Sequence, residues 1–336
     1  MLIFSVETSC DETSVCIMNN QKNILSHIVY TQSEHAKFGG VIPELASRSH
    51  LQILQKISKQ ALSEANITIK EIDLFCATCG PGLIGGLLVG SIYTKGMALG
   101  LNKPFIPINH LEGHIQSSSF NNEINYPFVT LLLTGGHTQI YLVKSVTQFE
   151  LLGETLDDAI GEAFDKVAKL LGMKYPGGPN MEKKAEKGNE NFFNLPIPLK
   201  KEKNLSFSFS GIKTAINLIV KNNKNFDQKF AEDMSASFQK TVVNILINKI
   251  NLTLEFLLKK KIKINQIALV GGVAANNYIY HKIENNIKNK EHTLIKPPRF
   301  MLSDNAAMIA WAALQKKPIK EYENINFDAN PRLKIK

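Results

Sequence analysis

The chain has 336 residues, which at roughly 100–200 residues per domain allows two domains or one bilobed unit. With 44% hydrophobic and 21% charged residues and a mean hydropathy near zero, it is not a disordered chain, a collagen or a multi-span membrane protein. The formal charge of +9 rests on lysine, since Arg48, Arg299 and Arg332 are the only arginines; it allows an acidic polymer as partner without favouring one over a solubilising surface.

Leu2 to Val6 is apolar and reads as a buried strand, followed by a polar turn, Ser9 to Ser14, and a returning strand over Val15 to Met18. The N-terminus has no basic n-region, and the cysteines (Cys10, Cys16, Cys76 and Cys79) form no framework across the chain. A signal peptide is therefore not expected, and a reducing, cytoplasmic setting is. Glu44 to Ala65 places Leu45, Leu51, Leu54, Ile57, Ala61 and Leu62 at helical spacing. Ile72 to Cys79 reads as a buried strand ending in a C-x-x-C pair that lacks the second pair of a zinc knuckle. Gly82 to Leu101 carries Lys95 as its only charge, but its glycines at 82, 85, 86, 90, 96 and 100 suit close helix packing in a core. No membrane partner is expected.

Mid-chain the opening layout recurs. Phe128 to Leu133 is apolar, Thr134-Gly-Gly-His-Thr138 is a tight turn, and Ile140 to Val143 returns. Two such hairpins predict two related lobes. Thr155 to Leu171 reads as a helix with Leu156, Ile160, Ala163, Phe164, Val167 and Leu171 inside and Asp158, Glu162, Asp165 and Lys169 as a polar stripe. Tyr175-Pro-Gly-Gly-Pro179 breaks the chain, and Lys183 to Lys203 reads as loop. Phe230 to Lys261 reads as one long helix or two, Gln266 to Val270 as a strand into Gly271-Gly-Val-Ala-Ala-Asn276 with a helix following, and Asp304 to Leu314 as a last helix with Asp304 as N-cap. Strands alternating with helices give an α/β class.

Three constellations carry chemistry. In Asn109-His-Leu-Glu-Gly-His114, His110 and His114 fall on one helix face, at the spacing that lets two imidazoles share one metal ion. Glu112 sits two residues from each and points away, unlike the general base of H-E-x-x-H peptidases. Asp304 is a plausible third ligand, and two histidines with one carboxylate suit Fe(2+) or Zn(2+). The small-residue turns Thr134-Gly-Gly136, Gly177-Gly178 and Gly271-Gly272 offer backbone N–H groups to a phosphate or nucleoside, although the chain has neither a P-loop nor the dinucleotide fingerprint. The layout resembles the actin, Hsp70 and sugar-kinase superfamily, which predicts a two-lobed actin-like ATPase (ASKHA) fold with duplicated mixed β-sheet lobes flanked by helices. Asp11-Glu12-Thr13 puts adjacent carboxylates on the first hairpin tip, where they can hold a cation, orient water or take a proton. A small-molecule kinase or ATPase and a metallopeptidase are the alternative readings of these residues.

Ten segments together carry a resemblance. The first five are Glu7-Thr-Ser-Cys-Asp-Glu-Thr13, Pro43-Glu-Leu-Ala-Ser-Arg48, Gly80-Pro-Gly-Leu83, Asn109 to His114 and Thr134-Gly-Gly-His-Thr-Gln139. The others are Gly161-Glu-Ala-Phe-Asp-Lys166, Tyr175 to Pro179, Ser208-Phe-Ser-Gly-Ile-Lys-Thr214, Gly271 to Asn276 and Asp304-Asn-Ala-Ala-Met-Ile-Ala310. In this order the chain, over about residues 2 to 315, resembles the bacterial branch of the universal Kae/Qri/Gcp family of tRNA threonylcarbamoyladenosine synthase subunits.

The resemblance implies an acyltransferase that moves threonylcarbamoyl from threonylcarbamoyl-AMP to N6 of adenosine 37 in tRNAs reading codons that begin with A. It implies one divalent metal ion on His110, His114 and Asp304, with Fe(2+) favoured over Zn(2+). It implies substrate binding by Leu132, Leu133, Thr134, Gly135, Gly136, Asp165, Gly178, Glu182 and Asn276, and a catalytic carboxylate at Asp11, with Glu12 beside it. It also implies an inactive paralogue subunit (TsaB-like) and a small P-loop ATPase (TsaE-like) as partners. Residues 1–115 are expected to form an N-terminal lobe completed by 305–336, and 116–304 the second lobe. Lys200, Lys201 and Lys203 are the candidate lysines for tRNA phosphates.

Overall fold

The computed structural model describes residues 1–223, 227–316 and 325–335. The chain divides into two compact units, Met1–Asn122 with Pro297–Lys336, and Glu123–Lys296.

The first unit opens with β1 (Leu2–Glu7), β2 (Glu12–Asn19) and β3 (Ile24–Thr31), then α1 (Pro43–Glu64), β4 (Leu74–Gly80), α2 (Ile84–Gly100), β5 (Phe105–Asn109) and α3 (His110–Ser117). The second contains β6 (Phe128–Leu133), β7 (Thr138–Ser145), β8 (Gln148–Glu154), α4 (Ile160–Leu170), α5 (Gly177–Ala185), α6 (Ser210–Asn222), α7 (Gln228–Lys259), β9 (Gln266–Val270), α8 (Asn277–Lys288) and β10 (Thr293–Ile295). The chain then returns to the first unit as α9 (Ala306–Gln315).

Each unit is built on a mixed five-stranded sheet, and the two sheets share one topology. The first has order β3-β2-β1-β4-β5, the second β8-β7-β6-β9-β10. In each, a three-stranded antiparallel meander continues into two parallel strands. The first sheet is apolar on both faces, which is why β1 and β4 read as continuous hydrophobic runs rather than as alternations. Ile3, Cys16, Met18, Leu74 and Cys76 pack with α9 on one side. Phe4, Val6, Val15, Ile17, Phe75 and Cys79 pack with residues of α1 on the other. Cys76 and Cys79, three apart on β4, thus enter opposite cores as free thiols.

Four local readings change. The helix expected from Thr155 begins at Ile160, and Leu156, assigned to its inner face, is 66% exposed. The segment before it is held as an extended connection instead. Thr155 bridges to Phe207, and the Asp157 carboxylate accepts from the Ser208 and Ser210 hydroxyls and from the Phe209 and Ser210 N–H groups. The Thr138 hydroxyl accepts from the Ile160 N–H at 2.8 Å and so starts the helix there. Second, Lys183 and Lys184 belong to α5, not to a loop. Third, Asn305 rather than Asp304 caps α9, accepting from the Met308 N–H at 2.9 Å, which leaves the Asp304 side chain for other work. Fourth, Asp304, expected at the end of the second lobe, belongs to the first unit. The second sheet ends with β10, and the chain from Pro297 leads into α9, which packs on β1, β2 and β4. The expected C-terminal completion over 305–336 includes residues 317–324 and 336, which lie outside the described ones.

The α7 helix is long and apolar enough to cross a membrane by length and composition alone, but half of its most apolar window is buried inside the protein, and Asp233 and Lys249 are buried along it. It is a core helix of the second unit, packed on α5 and α8.

Candidate metal centre and glycine cradle

In the first unit β5 runs into α3, and Asn109 marks the change of conformation. Its side chain accepts from the Leu111 N–H at 2.8 Å and caps the helix. His110 is therefore the first helical residue and His114 lies one turn on. Their rings are 4.8 Å apart and nearly perpendicular. Asp304, just before α9, brings Oδ1 to 3.1 Å from His114 Nε2 and 3.4 Å from His110 Nε2. One ligand atom from each of the three side chains lies within 4.8 Å of the others.

Burial opposes a charge on Asp304, but His110 and His114 outweigh it and hold the carboxyl well below the usual carboxylate range. Burial lowers His110 too, yet Asp304 and Glu7 more than reverse this and raise it. His114 goes down, through burial first, with the neighbouring His110 charge adding to it. Two imidazole nitrogens turned on one ionised carboxylate oxygen fit a divalent metal of the zinc or iron(II) type. His114 Nδ1 is buried without a hydrogen-bond partner among the described residues, so packing alone holds that side of its ring. Glu112 turns the other way and pairs with Lys316 at 2.6 Å, so the general base of a metallopeptidase is missing from its expected place.

The first hairpin tip lies in the same unit. Asp11 is buried, 6% exposed, and its carbonyl accepts from the Gln32 N–H. Burial first, then Asp304 and Asp11, push the neighbouring Glu12 carboxyl well above its ordinary value. A buried polar web supports the tip. His50 of α1 has Nδ1 2.8 Å from the Thr13 hydroxyl and Nε2 2.9 Å from the Cys10 carbonyl. Gln32 links His50 to His35.

Sequence reasoning missed His50 and Glu7. Glu7 closes β1, is fully buried, and accepts from the Ser9 N–H at 2.6 Å and from the Thr78 hydroxyl. It also lies 3.1 Å from His110 Nδ1. The available signal was a charged residue ending an otherwise apolar strand.

In the second unit glycines bring backbones close together. The turn between β6 and β7 is closed by the Thr134 N–H on the His137 carbonyl and the His137 N–H on the Thr134 hydroxyl, both at 2.9 Å. The first turn of α4 sits on it. A Cβ at Gly161 would stand 2.8 Å from Gly135 Cα and from the Thr134 carbonyl oxygen. Gly271 has φ +91°, and a Cβ there would lie 2.5 Å from the Leu133 carbonyl oxygen. Over Gly135, Gly136, Gly178 and Gly272, in contrast, a Cβ would meet nothing within 4 Å. These four glycines thus leave exposed backbone where a ligand can approach. Leu132 and Leu133 are fully buried in β6, so they can offer a ligand only backbone.

Asp165 Oδ1 accepts from the Gly177 N–H at 2.7 Å and fixes the start of α5 next to Gly178. Glu182 Oε1 accepts from the Asn277 N–H at 2.7 Å, beside a cavity of about 390 Å³ that Gln239 and Tyr278 also line. Asn276 is engaged at both ends of its amide: Oδ1 caps α8 through the Ile279 N–H, and Nδ2 donates to Gln239 Oε1 at 2.7 Å. The structure thus groups the predicted residues by unit: Asp11, Glu12, His110, His114 and Asp304 belong to the first, Leu132 to Gly136, Asp165, Gly178, Glu182 and Asn276 to the second.

A family model described as "TsaD: tRNA N6-adenosine threonylcarbamoyltransferase" matches residues 23–311. The tRNA N6-adenosine threonylcarbamoyltransferase of Thermosipho africanus (strain TCF52B) is 47% identical over 345 aligned residues, covering all of both chains. That of Wolbachia pipientis wMel is 42% identical over 333 residues, 99% of this chain and 98% of the relative. Among solved structures, full-length HypF in its phosphate- and nucleotide-bound form matches with a TM-score of 0.62 at 14% identity, over 94% of this chain and 46% of HypF. Component A of (R)-2-hydroxyglutaryl-CoA dehydratase from Acidaminococcus fermentans matches at 0.54 and 15% identity, over 94% of this chain and 98% of that one. At these identities the two structures speak for the fold, which is of the actin-like ATPase type.

Proposed function

The chain belongs to the tRNA N6-adenosine threonylcarbamoyltransferase family, and on that footing we propose that it transfers threonylcarbamoyl from threonylcarbamoyl-AMP to N6 of adenosine 37 in tRNAs reading codons that begin with A. The observation that carries this reading is 47% identity across the full length of a curated transferase.

The chemistry defines what the residues must do. The donor is a mixed anhydride with AMP as leaving group. The acceptor amine is weak, because its lone pair is delocalised into the adenine ring. The protein must hold the donor, neutralise its charge and accept a proton. His110, His114 and Asp304 would hold one divalent ion, Fe(2+) rather than Zn(2+) by the family resemblance, and it would supply Lewis-acid stabilisation of anionic oxygen. The open backbone at Gly135 and Gly136 donates N–H bonds to phosphate or carbamoyl oxygen from a turn already closed on itself. Leu132, Leu133 and Thr134 shape that turn.

Asp165, Gly178 and Glu182 bind the nucleoside, and Asn276 sets the start of α8 beside Glu182's partner Asn277. The support is that Asp165 and Glu182 are each oriented by a backbone N–H next to open glycine backbone or a cavity. Asp11 accepts the N6 proton and Glu12 stands next to it in the same hairpin. A buried carboxylate suits that task.

The partners are tRNA, an inactive TsaB-like paralogue and a TsaE-like P-loop ATPase, and the reaction is cytoplasmic. Exposed Lys200, Lys201 and Lys203 suit tRNA phosphates. On α2 the stripe Ile84, Leu88, Ile92 and Leu99, 41–63% exposed, offers the paralogue an apolar face, with Leu51 of α1 70% exposed as well. Depletion of the protein followed by tRNA nucleoside analysis tests the reading. Loss of N6-threonylcarbamoyladenosine is expected, and an unchanged nucleoside profile would overturn it.

A further inference from the structure

We propose that Glu7 is a positioning residue for His110: its carboxylate keeps the imidazole proton on Nδ1 and so presents Nε2 to the metal ion. The inference rests on reading His110, His114 and Asp304 as a metal site.

A fully buried carboxylate is costly unless donors surround it. Glu7 has them. Oε1 accepts from the Ser9 N–H at 2.6 Å, and Oε2 accepts from the Thr78 hydroxyl. Thr78 is in place because β4 runs parallel to β1, with Ala77 opposite Val6. The anchored Oε2 then faces His110 Nδ1 at 3.1 Å. The Ser9 hydroxyl stands 3.2 Å from the same nitrogen. An ionised carboxylate only accepts, so the ring nitrogen facing it must carry the proton. In the neutral ring that a metal ion requires, the lone pair is then on Nε2, the nitrogen 3.4 Å from Asp304 Oδ1. A carboxylate behind a ligating histidine fixes ring, tautomer and basicity in this way. His114 provides the contrast, because its Nδ1 has no hydrogen-bond partner among the described residues. Of the two histidines, His110 is the one with a carboxylate behind its ring, on the side away from Asp304.

Glu7→Gln keeps the size and can still accept from Ser9. It turns an amide N–H toward Nδ1, which moves the ring proton to Nε2 and blocks the ligand atom. The full chain, stripped of metal, is titrated with Co(2+) and read by its visible ligand-field bands, and with Zn(2+) in competition with a chromophoric chelator. The variant is expected to bind both ions about 10–100-fold more weakly than wild type, with an unchanged metal-free circular dichroism spectrum. Equal affinities and equal Co(2+) spectra overturn the proposal. A second readout needs no variant: in wild-type protein loaded with Zn(2+), imidazole ¹⁵N shifts should show His110 metallated at Nε2 and protonated at Nδ1. Metallation at Nδ1 overturns it. If wild type binds neither ion, the metal reading and this inference fall together; if it binds and Glu7→Gln binds equally, only this inference falls.

Discussion

The β1–β2 hairpin of the first unit and the β6–β7 hairpin of the second occupy equivalent places in sheets of the same strand order, yet they are furnished differently. Around the first, charged side chains gather. Glu7 ends β1, Asp11 closes the turn, Glu12 opens β2, α3 carries His110 and His114, and Asp304 precedes α9. Around the second, open backbone gathers instead. Thr134-Gly135-Gly136 is open on one side and touched by Gly161 and Gly271 on the other. A duplicated scaffold thus provides two kinds of electrostatics: point charges suited to a cation, and fixed amide dipoles suited to an anion. Damage to one unit should therefore be distinguishable from damage to the other by which ligand is lost.

The largest effect is expected in the first unit. Asp304→Ala removes the oxygen shared by both histidines, so it should abolish metal retention and transfer together while leaving adenylate binding to the second unit within about twofold. Metal analysis beside equilibrium dialysis checks this, and loss of both ligands at once would break the comparison. Asp11→Asn should lower transfer by about 10²–10⁴-fold, the usual contribution of a general base, with metal content and adenylate binding kept. A fully active variant removes Asp11 from the chemistry.

In the second unit, Gly161→Val places a branched side chain where even a Cβ would clash with the Thr134–Gly135 backbone. It should weaken adenylate binding by tenfold or more, through displacement of the turn, while metal stoichiometry stays at the wild-type level. The smallest effect concerns Asp157, which holds the first residues of α6. Asp157→Ala should cost about 1 kcal/mol of stability, the order of a lost helix cap, read as a fall in thermal midpoint. Burial opposes the charge on Asp157, but the bonds from Ser208, Phe209 and Ser210 prevail and lower its pKa. Its contribution is therefore complete above the unfolded value of about 3.9 and fades as pH falls through the lower folded value, so the wild-type advantage over Asp157→Ala should vanish in strong acid.

Much of this was legible in the residues. β6 and β9 coincide with their apolar runs, because buried strands in a sheet covered on both faces are uniformly apolar and bounded by glycine turns. The histidine pair was legible because i, i+4 spacing fixes the geometry on any helix. Less visible was what depends on contacts distant in sequence. Periodicity extended α4 back to Thr155, since an exposed Leu156 looks like a core leucine until Asp157 is seen gripping Ser208 and Ser210 some 50 residues on. Asp304 and Asn305 are both good caps; in the fold Asn305 takes the helix and the Asp304 carboxylate faces the histidines, which lie some 190 residues earlier. Glu7 was hidden for the same reason: its partners Thr78 and His110 lie 71 and 103 residues away.

Transfer to tRNA by this chain should depend on its bound metal. The most direct measurement is reconstitution of the full chain with threonylcarbamoyl-AMP, ATP, tRNA and the two partner subunits, with bound metal assayed in the same sample and nucleosides resolved by mass spectrometry. N6-threonylcarbamoyladenosine should form with the wild-type chain and fall in step with metal content in His110→Ala. Undiminished product from a metal-free His110→Ala chain, or none from the metal-loaded wild type, would contradict the account.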